Sequence, residues 1–279
     1  MPIYLEYASF YDGSGQIRFA LLMSQYLAEV LERHPVAGRR ALDLACGTGT
    51  LALMLADTGW NVTGLDSSDE MLAMARAKAE YAEAPHNATF VQGDMRRLEV
   101  GYDRRSAADR DLSAPIGEGP SSLALCPASF DLVTCIYDSL NYLLSEEDLG
   151  ACFGAAARAL APGGLLFADM NTRYFLEHDW GLCEVAEQPG FVQVSQSYFD
   201  PVMACSTMVL TGFCGDDRQG YRRFDETHVE RAYESQVVAG LIEAAGLQVE
   251  AVYECFTFQP VAERTQRIAW VARKPGARD

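Results

Sequence analysis

Long apolar runs are missing from this 279-residue sequence, although 49% of its residues are hydrophobic. No stretch reaches the roughly 18 consecutive apolar residues that a membrane-spanning helix needs. The opening segment, MPIYLEYASFYDGSG, also lacks the basic start and the apolar stretch of a secretory signal. We therefore predict a cytoplasmic protein without a membrane partner.

Blocks of basic residues are absent as well. The formal net charge is -17 at pH 7, and the acidic residues are spread along the chain. Such a field repels phosphate backbones and anionic bilayers, so nucleic acid is not an expected partner. The same charge is equally explained by solubility, so it does not by itself identify a substrate.

Metal-binding cysteine patterns are missing too. The eight cysteines lie far apart, with no CxxC pair and no Cys/His cluster at the spacing of a metal site. Several lie in apolar runs, where a free thiol behaves as a small core residue. We predict a reduced protein that holds no metal ion.

Alternating short apolar runs and helical patterns are what the sequence does contain. They begin with the strand-like ALDLA at 41–45 and continue to GGLLFADM at 163–170. Such alternation predicts a parallel sheet with helices on both faces. One helix is clearly marked, because Ser67 or Ser68 can cap it just before two acidic residues.

Two stretches break this rhythm. Residues 101–129 are rich in Gly, Pro, Ser and charge and predict a surface loop insertion, with an active-site lid as the alternative. Residues 186–233 contain period-two segments that predict an added antiparallel lid or platform. We expect a single domain over 1–279, with an N-terminal lid and helix at 1–38, a cofactor-binding core at 39–178, and a closing helix and strands at 234–279.

The segment LDLACGTGT predicts a strand that turns directly into a helix, with glycines that let a ligand approach the backbone. GTGTLA at 47–52 also fits the GxGxxA pattern of dinucleotide sites, which alone is weak evidence. Asp43 at the strand end would repel a pyrophosphate, whereas a ligand with a sulfonium and an ammonium group suits that carboxylate.

Two further aspartates follow the next strands. Asp66 ends the strand VTGLD, where a carboxylate can accept from both ribose hydroxyls of either NAD or S-adenosylmethionine. Asp94 ends the strand FVQGD and can accept from an adenine amino group. Either acid alone is equally explained as a solvated loop residue, but three at successive strand ends are hard to assign to capping.

The motifs LDLACGTG, VTGLDSSDEML, VQGDMRRL, FDLVTCIYDSLNYL and LAPGGLLFADM stand in the order of the class I S-adenosylmethionine-dependent methyltransferases, which this sequence resembles. The resemblance implies an α/β fold, a doubly wound, mostly parallel seven-stranded sheet with helices on both faces, plus the small antiparallel lid or platform. It implies S-adenosylmethionine as the cofactor, with Gly47 and Gly49 beneath it, Asp66 on the ribose and Asp94 on the adenine. The sequence departs from the family at Ala45, where many members have glycine. The expected cofactor-binding residues are Asp43, Cys46, Gly47, Gly49, Asp66, Ser67, Met71, Asp94 and Met95.

The wall of the acceptor site is expected at CIYDSLNYL, residues 135–143, because this stretch leaves the predicted sheet at the same edge as the glycine turn. It is not the NPPY type of nucleobase methyltransferases, and it resembles the small-molecule branch that includes glycine and amino-sugar N-methyltransferases. In such a site Asp138 and Asn141 would hold an amine or a hydroxyl. Arg173 would clamp a carboxylate or phosphate, or would instead form a surface salt bridge.

Tyr7 and Tyr11 precede the first helix, and the resemblance suggests that this segment folds over the cofactor. His228 shares a strand face with Glu226 and Glu230, which makes it a candidate general base, although a surface histidine among acids is the simpler explanation. The predicted catalytic residues are Tyr11, Asp138, Arg173 and His228. We predict methyl transfer to a nitrogen of a small molecule, with oxygen less favoured; an NAD-dependent oxidoreductase and a non-catalytic S-adenosylmethionine-binding protein are the alternatives.

Overall fold

Two separate sheets organise the computed structural model, which describes residues 3–81, 87–98, 128–181, 183–216, 218 and 220–276. Eleven strands lie within these ranges: β1 (Arg40–Leu44), β2 (Asn61–Asp66), β3 (Ala88–Gln92), β4 (Phe130–Cys135), β5 (Leu160–Asn171), β6 (Cys183–Gln188), β7 (Phe191–Asp200), β8 (Cys205–Asp216), β9 (Gly220–Arg231), β10 (Gln248–Glu254) and β11 (Arg267–Arg273). The main sheet has the order β10-β11-β5-β4-β1-β2-β3. Only β11 runs antiparallel to its neighbours β5 and β10, so the predicted seven-stranded, mostly parallel sheet is confirmed.

Seven α-helices lie in the described part of the chain: α1 (Ala8–Tyr11), α2 (Ile17–Arg33), α3 (Thr50–Asp57), α4 (Asp69–Glu80), α5 (Glu146–Ala159), α6 (Arg173–His178) and α7 (Ser235–Ala244). The cap of α4 is Ser68, whose hydroxyl accepts from the backbone N–H of Met71. Its two acidic first-turn residues face the positive end of the helix dipole. None of the helices described is long and apolar enough to cross a membrane.

Both faces of the main sheet are buried, because alternate strand residues enter two different cores. In β1, Leu42 and Leu44 pack with α5 and α7, while Ala41 packs with α2 and α3. In β11, Trp270 packs in the same core as Leu42 and Leu44, and the next residue, Val271, packs in the core of Ala41. A strand buried on both sides reads as a continuous apolar run, which is why ALDLA indicated a parallel sheet.

The second sheet is antiparallel, in the order β6-β7-β8-β9, and confirms the predicted lid or platform. Three of its strands were expected from their period-two patterns. The fourth, β6, was missed because most of its residues are exposed and CEVAEQ shows no apolar alternation. The predicted loop insertion at 101–129 lies outside the described residues except for its last two positions.

The N-terminal arm, residues 3–16, runs from the second sheet to the main sheet. Glu226 in β9 accepts from the backbone N–H groups of Tyr4, Glu6 and Tyr7 at 2.8, 3.3 and 3.3 Å. Farther along, Asp12 accepts from the Thr48 hydroxyl, 2.7 Å away, at the end of the β1 turn. The arm is therefore attached to both sheets.

Candidate active site

The turn after β1 has three left-handed residues within five positions. Ala45, Gly47 and Gly49 have φ values of 53°, 54° and 73°. A Cβ on Gly49 would lie 2.7 Å from the Phe90 ring, so this glycine allows close packing of α3. A Cβ on Gly47 would meet nothing within 4 Å, because this residue borders an open cavity.

Asp43 lies beneath that turn and is almost completely buried. Its Oδ1 accepts from the Thr134 hydroxyl at 2.6 Å, whereas its Oδ2 has no hydrogen-bond partner. Burial raises the pKa of Asp43 to about 7, against the opposing effect of the Thr134 hydrogen bond. A buried carboxylate oxygen without a partner is ready to meet a cationic group of a ligand.

Asp66 connects the end of β2 to the same turn. Its two oxygens accept from the backbone N–H groups of Gly47 and Ser68, at 2.8 and 2.9 Å. Burial raises its pKa, although these hydrogen bonds oppose that effect. Since a carboxylate has about four lone-pair directions, Asp66 keeps capacity to accept from ligand hydroxyls.

We call the space above the turn the glycine-turn cavity. Its volume is about 790 Å³. Seven of the nine predicted cofactor residues line it: Asp43, Cys46, Gly47, Asp66, Ser67, Met71 and Met95. Of the other two, Gly49 supports the turn from behind and Asp94 lies in an adjoining cavity of about 370 Å³.

Asp94 is bound chiefly to Arg96, whose side chain donates to both of its oxygens at 2.7 to 3.1 Å. That contact lowers the pKa of Asp94, with burial opposing it. The adjoining cavity shares Asp66, Ser67 and Met95 with the glycine-turn cavity. The predicted contact with adenine therefore requires the base to extend between the two cavities.

A strained turn follows β4. Tyr137 and Asp138 are both left-handed, with φ of 59° and 53°. Their backbone N–H groups donate to the two carboxylate oxygens of Asp169, at 2.6 and 3.2 Å. Arg267 in turn pairs with Asp169 and, at 2.8 Å, with Asp138. This network offsets a backbone conformation that costs about 1 to 3 kcal/mol per residue.

Beyond this turn lies the tyrosine cavity, of about 320 Å³, between the main sheet, the arm and the second sheet. Five residues line both it and the glycine-turn cavity: Tyr4, Tyr11, Gln16, Tyr137 and Tyr142. Tyr137 donates to the Gln16 amide oxygen across this boundary. The two cavities are therefore adjacent, and tyrosine side chains form most of the boundary between a ligand in one and a ligand in the other.

Carboxylates dominate the charge of the tyrosine cavity. Asp138, Asp179, Glu184 and Glu230 line it, and Arg267 is the one arginine or lysine among its described lining residues. Since Arg267 already pairs with Asp138 and Asp169, it does not neutralise the others. The cavity suits a cation.

His228 faces the tyrosine cavity from β9. Its Nδ1 lies 3.1 Å from the Tyr142 hydroxyl, and its Nε2 lies 3.6 Å from Glu226 Oε2, beyond good hydrogen-bond distance. Tyr4 contacts the ring edge-on, with centroids 5.2 Å apart. The imidazole is thus buried, and the expectation of a surface histidine is wrong.

Comparison with known proteins places this geometry in a family. A family model described as a methyltransferase domain matches residues 41–109. A protein of Geobacillus sp. (strain WCH70) that is named as a methyltransferase is 31% identical over 244 residues, 85% of either chain. The dTDP-3-amino-3,4,6-trideoxy-alpha-D-glucopyranose N,N-dimethyltransferase of Streptomyces venezuelae is 27% identical over 88% of this chain and 89% of that one. The solved S-adenosylmethionine-dependent methyltransferase of Clostridium acetobutylicum ATCC 824 has a TM-score of 0.77 at 24% identity, with 99% and 100% coverage.

The chain belongs to the class I S-adenosylmethionine-dependent methyltransferases. The expected cofactor fits the glycine-turn cavity on two observations. The unpartnered Asp43 Oδ2 suits its positive charge, and the open side of Gly47 leaves space for it. The NAD-dependent oxidoreductase considered from the glycine pattern is wrong for this methyltransferase.

Two residues predicted for the acceptor lie elsewhere. Arg173 is exposed, outside both cavities, with its guanidinium 3.4 Å from Glu177 and above the Phe199 ring. The surface salt bridge considered as the alternative is what the structure has. Asn141 is buried, but its amide donates to the carbonyl oxygens of Asn171 and Arg231 and accepts from the Asn171 N–H. The bond to Arg231 joins the methyltransferase core to β9, the two bonds to Asn171 reach β5, and together they occupy the amide.

Sequence reasoning missed Glu230, Asp169 and Arg267 as residues of the site. The first two carry a signal in the sequence. Asp169 is an acid within the buried run GGLLFADM, and Glu230 alternates with His228 along β9. Arg267 gives no local signal, because only the antiparallel pairing of β11 with β5 brings it to Asp169.

Proposed function

We propose that this methyltransferase transfers a methyl group to the amine nitrogen of a small molecule. The acidic tyrosine cavity, in which the one arginine among the described lining residues is already paired, is the observation that carries the proposal. A protonated amine is attracted to such a cavity, whereas a neutral alcohol gains nothing from its charge.

The cofactor supplies a methyl group already activated by its sulfonium. For the protein there remain binding, orientation and exclusion of water. In this proposal Asp66 accepts from the ribose hydroxyls, Met71 and Met95 flank the base, and Asp43 faces the positive end. The role given to Asp94 is contact with the adenine through the adjoining cavity.

On the acceptor side, we assign Tyr11, Asp138 and His228 to positioning. Burial raises the pKa of Tyr11 well above its usual value, so its phenol stays neutral and acts as a hydrogen-bond donor. Asp138 is buried at the tyrosine cavity and attracts the cationic acceptor. His228 accepts from or donates to Tyr142, depending on its tautomer.

The acceptor in this cavity carries no phosphate in our proposal. The S. venezuelae relative is named for a dTDP-linked amino sugar, and the amine of such a compound is consistent with the cavity. A diphosphate would meet Asp179 and Glu184 without a free cation among the described lining residues. Repulsion therefore favours an unphosphorylated amine.

The test uses methyl-labelled S-adenosylmethionine and a fixed library of primary amines, each paired with its alcohol and, where one exists, its phosphate ester. We expect label in unphosphorylated amines, identified by mass spectrometry. EDTA should not change the rate, because the sulfonium already activates the methyl group. Label confined to alcohols would favour the oxygen alternative, and label confined to phosphate esters would contradict the charge argument.

A further inference from the structure

Glu230 is a buried carboxyl group for which the proposed roles above have no use. It lies in β9 with its side chain out of contact with solvent, on the wall of the tyrosine cavity. Its Oε2 accepts from the Asn171 side-chain amide at 2.8 Å. Its Oε1 has no hydrogen-bond partner. A lone buried carboxyl oxygen is costly, so a stable fold retains it only against a compensating interaction.

Asp138 lines the same cavity, and its side chain interacts with that of Glu230. Asp138 Oδ1 lies 2.8 Å from Arg267 but likewise lacks a properly directed hydrogen bond. Two ionised carboxylates offer each other no proton, whereas a proton on Glu230 lets it donate to Asp138. Burial, and then the negative charge of Asp138, raise the pKa of Glu230 well above its usual value. A proton on Glu230 would give both unpartnered carboxyl oxygens a hydrogen-bond partner.

The other polar groups around the pair are neutral or already occupied. Arg267 forms ion pairs with both Asp138 and Asp169. The side-chain amide of Asn171 donates one hydrogen bond to Glu230. Tyr4 and Tyr142 lie beside the pair as neutral phenols, since burial raises the pKa of both. His228, two residues away on the same face of β9, points to Tyr142. The Nε2 atom of His228 also lacks a hydrogen-bond partner, but it lies 3.6 Å from Glu226 Oε2, whereas the unpartnered Oε1 of Glu230 belongs to the carboxyl group beside Asp138.

We propose that Glu230 is the catalytic residue that takes the proton from the acceptor ammonium before methyl transfer. This inference rests on the proposed amine acceptor. Entry of the ammonium favours the Glu230 carboxylate, so the resting proton leaves to solvent. The carboxylate then removes one N–H proton, and the freed nitrogen lone pair forms the N–CH3 bond as the S–CH3 bond breaks with its electrons on sulfur. The net reaction releases one proton and leaves Glu230 protonated, as it began.

Glu230→Gln tests the step with little disturbance of the fold. Glutamine has the shape of a protonated glutamate, because its oxygen can accept from Asn171 and its NH2 can donate to Asp138. We expect an unchanged melting temperature and a fall in kcat of about 100-fold at pH 7, the usual size of a general-base effect. Glu230→Asp keeps a carboxyl group and should recover part of the rate. Asp225→Asn, a carboxyl loss at an exposed position of the same strand, should have no effect.

Two readouts separate a proton acceptor from a structural residue. The rate of the Glu230→Gln variant should rise about tenfold per pH unit, because only amine already deprotonated in solution can react, while the wild type changes less. The infrared spectrum is recorded in an Asp43→Asn background, because burial also raises the pKa of Asp43, to about 7. In that background the resting protein should contain a protonated carboxyl band that Glu230→Gln removes and Asp225→Asn retains.

The outcomes distinguish this inference from the proposed function. If the library amines are methylated but Glu230→Gln keeps more than half of the wild-type kcat with an unchanged pH profile, Glu230 is not the proton acceptor and the amine proposal stands. Persistence of the infrared band in Glu230→Gln would also overturn the assignment. Absence of label from every amine would overturn both.

Discussion

At the scale of single residues, Asp43 connects binding to protonation. Its pKa of about 7 lies above the usual value of 3.8 because the side chain is buried. Between these two values the folded protein holds a proton that the unfolded chain has released. The ligand-free fold therefore loses stability as the pH rises through this range. A cationic ligand beside Asp43 favours the ionised carboxylate over the protonated form.

We predict that Asp43→Asn removes the part of the pH dependence of stability and of cofactor binding that comes from this carboxyl group. Between pH 5 and pH 8.5 the ligand-free wild type should lose about 2 to 3 kcal/mol of unfolding free energy that the variant keeps, as measured by chemical denaturation. S-adenosylmethionine should bind the wild type more tightly as the pH rises past 7. The variant should bind it about 10- to 100-fold more weakly at pH 8, with little change with pH.

Asp225→Asn is the control, since Asp225 is exposed and its pKa is lowered by Arg223. It should follow the wild-type stability curve over this pH range. Parallel curves for the wild type and Asp43→Asn would show that the buried carboxylate does not titrate there, and would contradict the assigned contact with the cation.

At the scale of elements, the arm is attached to the main sheet by a small polar cluster that we call the latch: Asp12, Thr48, Thr50 and Lys78. Lys78 in α4 donates to Asp12, Thr48 and Thr50 at 2.7, 2.9 and 2.8 Å. Thr48 and Thr50 border the glycine-turn cavity, as does Asp12. The latch thus ties the arm to the segment that meets the cofactor.

We predict that Lys78→Met loosens the arm and leaves the fold intact, because methionine keeps most of the aliphatic stem. The dissociation rate of S-adenosylhomocysteine, followed by stopped-flow fluorescence, should rise about tenfold, which corresponds to roughly 1.4 kcal/mol of lost charge-assisted hydrogen bonding. The control is Arg76→Met, which removes the same charge from the same helix. The Arg76 side chain donates to the Phe90 carbonyl and is not part of the latch. Equal dissociation rates in the two variants would show that the latch does not hold the arm.

Elements whose pattern is local were predictable from the sequence. The alternation of apolar runs and helices, with Ser68 before α4, identified the main sheet and the aspartates at its carboxyl edge. The glycine turn was recognisable because left-handed backbone at Gly47 and Gly49 requires that residue type. Ala45 has the same left-handed conformation without being glycine, so residue type did not reveal this third left-handed position.

Features that depend on pairing between distant segments were not predictable. Arg267 reaches Asp169 only through the register of β11 against β5. Arg173 has the chemistry for an anion clamp, but it begins the short helix α6 and faces Glu177 one turn on. Residue type alone did not distinguish Arg173, which forms a surface salt bridge, from Arg267, which pairs with two aspartates at the site.

At the scale of the whole molecule, the two sheets are joined at the tyrosine cavity. Asn171 in β5 donates to Glu230, and Asn141 donates to the Arg231 carbonyl in β9. Tyr142 contacts His228 across the same boundary. In our proposal the acceptor is therefore held between the two sheets, and its position depends on both.

The arm walls both cavities at once, since Tyr4, Tyr11 and Gln16 border each of them. Exchange of spent cofactor for fresh therefore moves the same segment that retains the acceptor. An amine with more than one replaceable hydrogen should consequently leave after each transfer, which makes the enzyme distributive rather than processive. Mass spectra taken early in the reaction, with amine in excess, should show the monomethyl product accumulating before any dimethyl product; dimethyl product from the first turnovers would mean that the arm releases the two ligands independently.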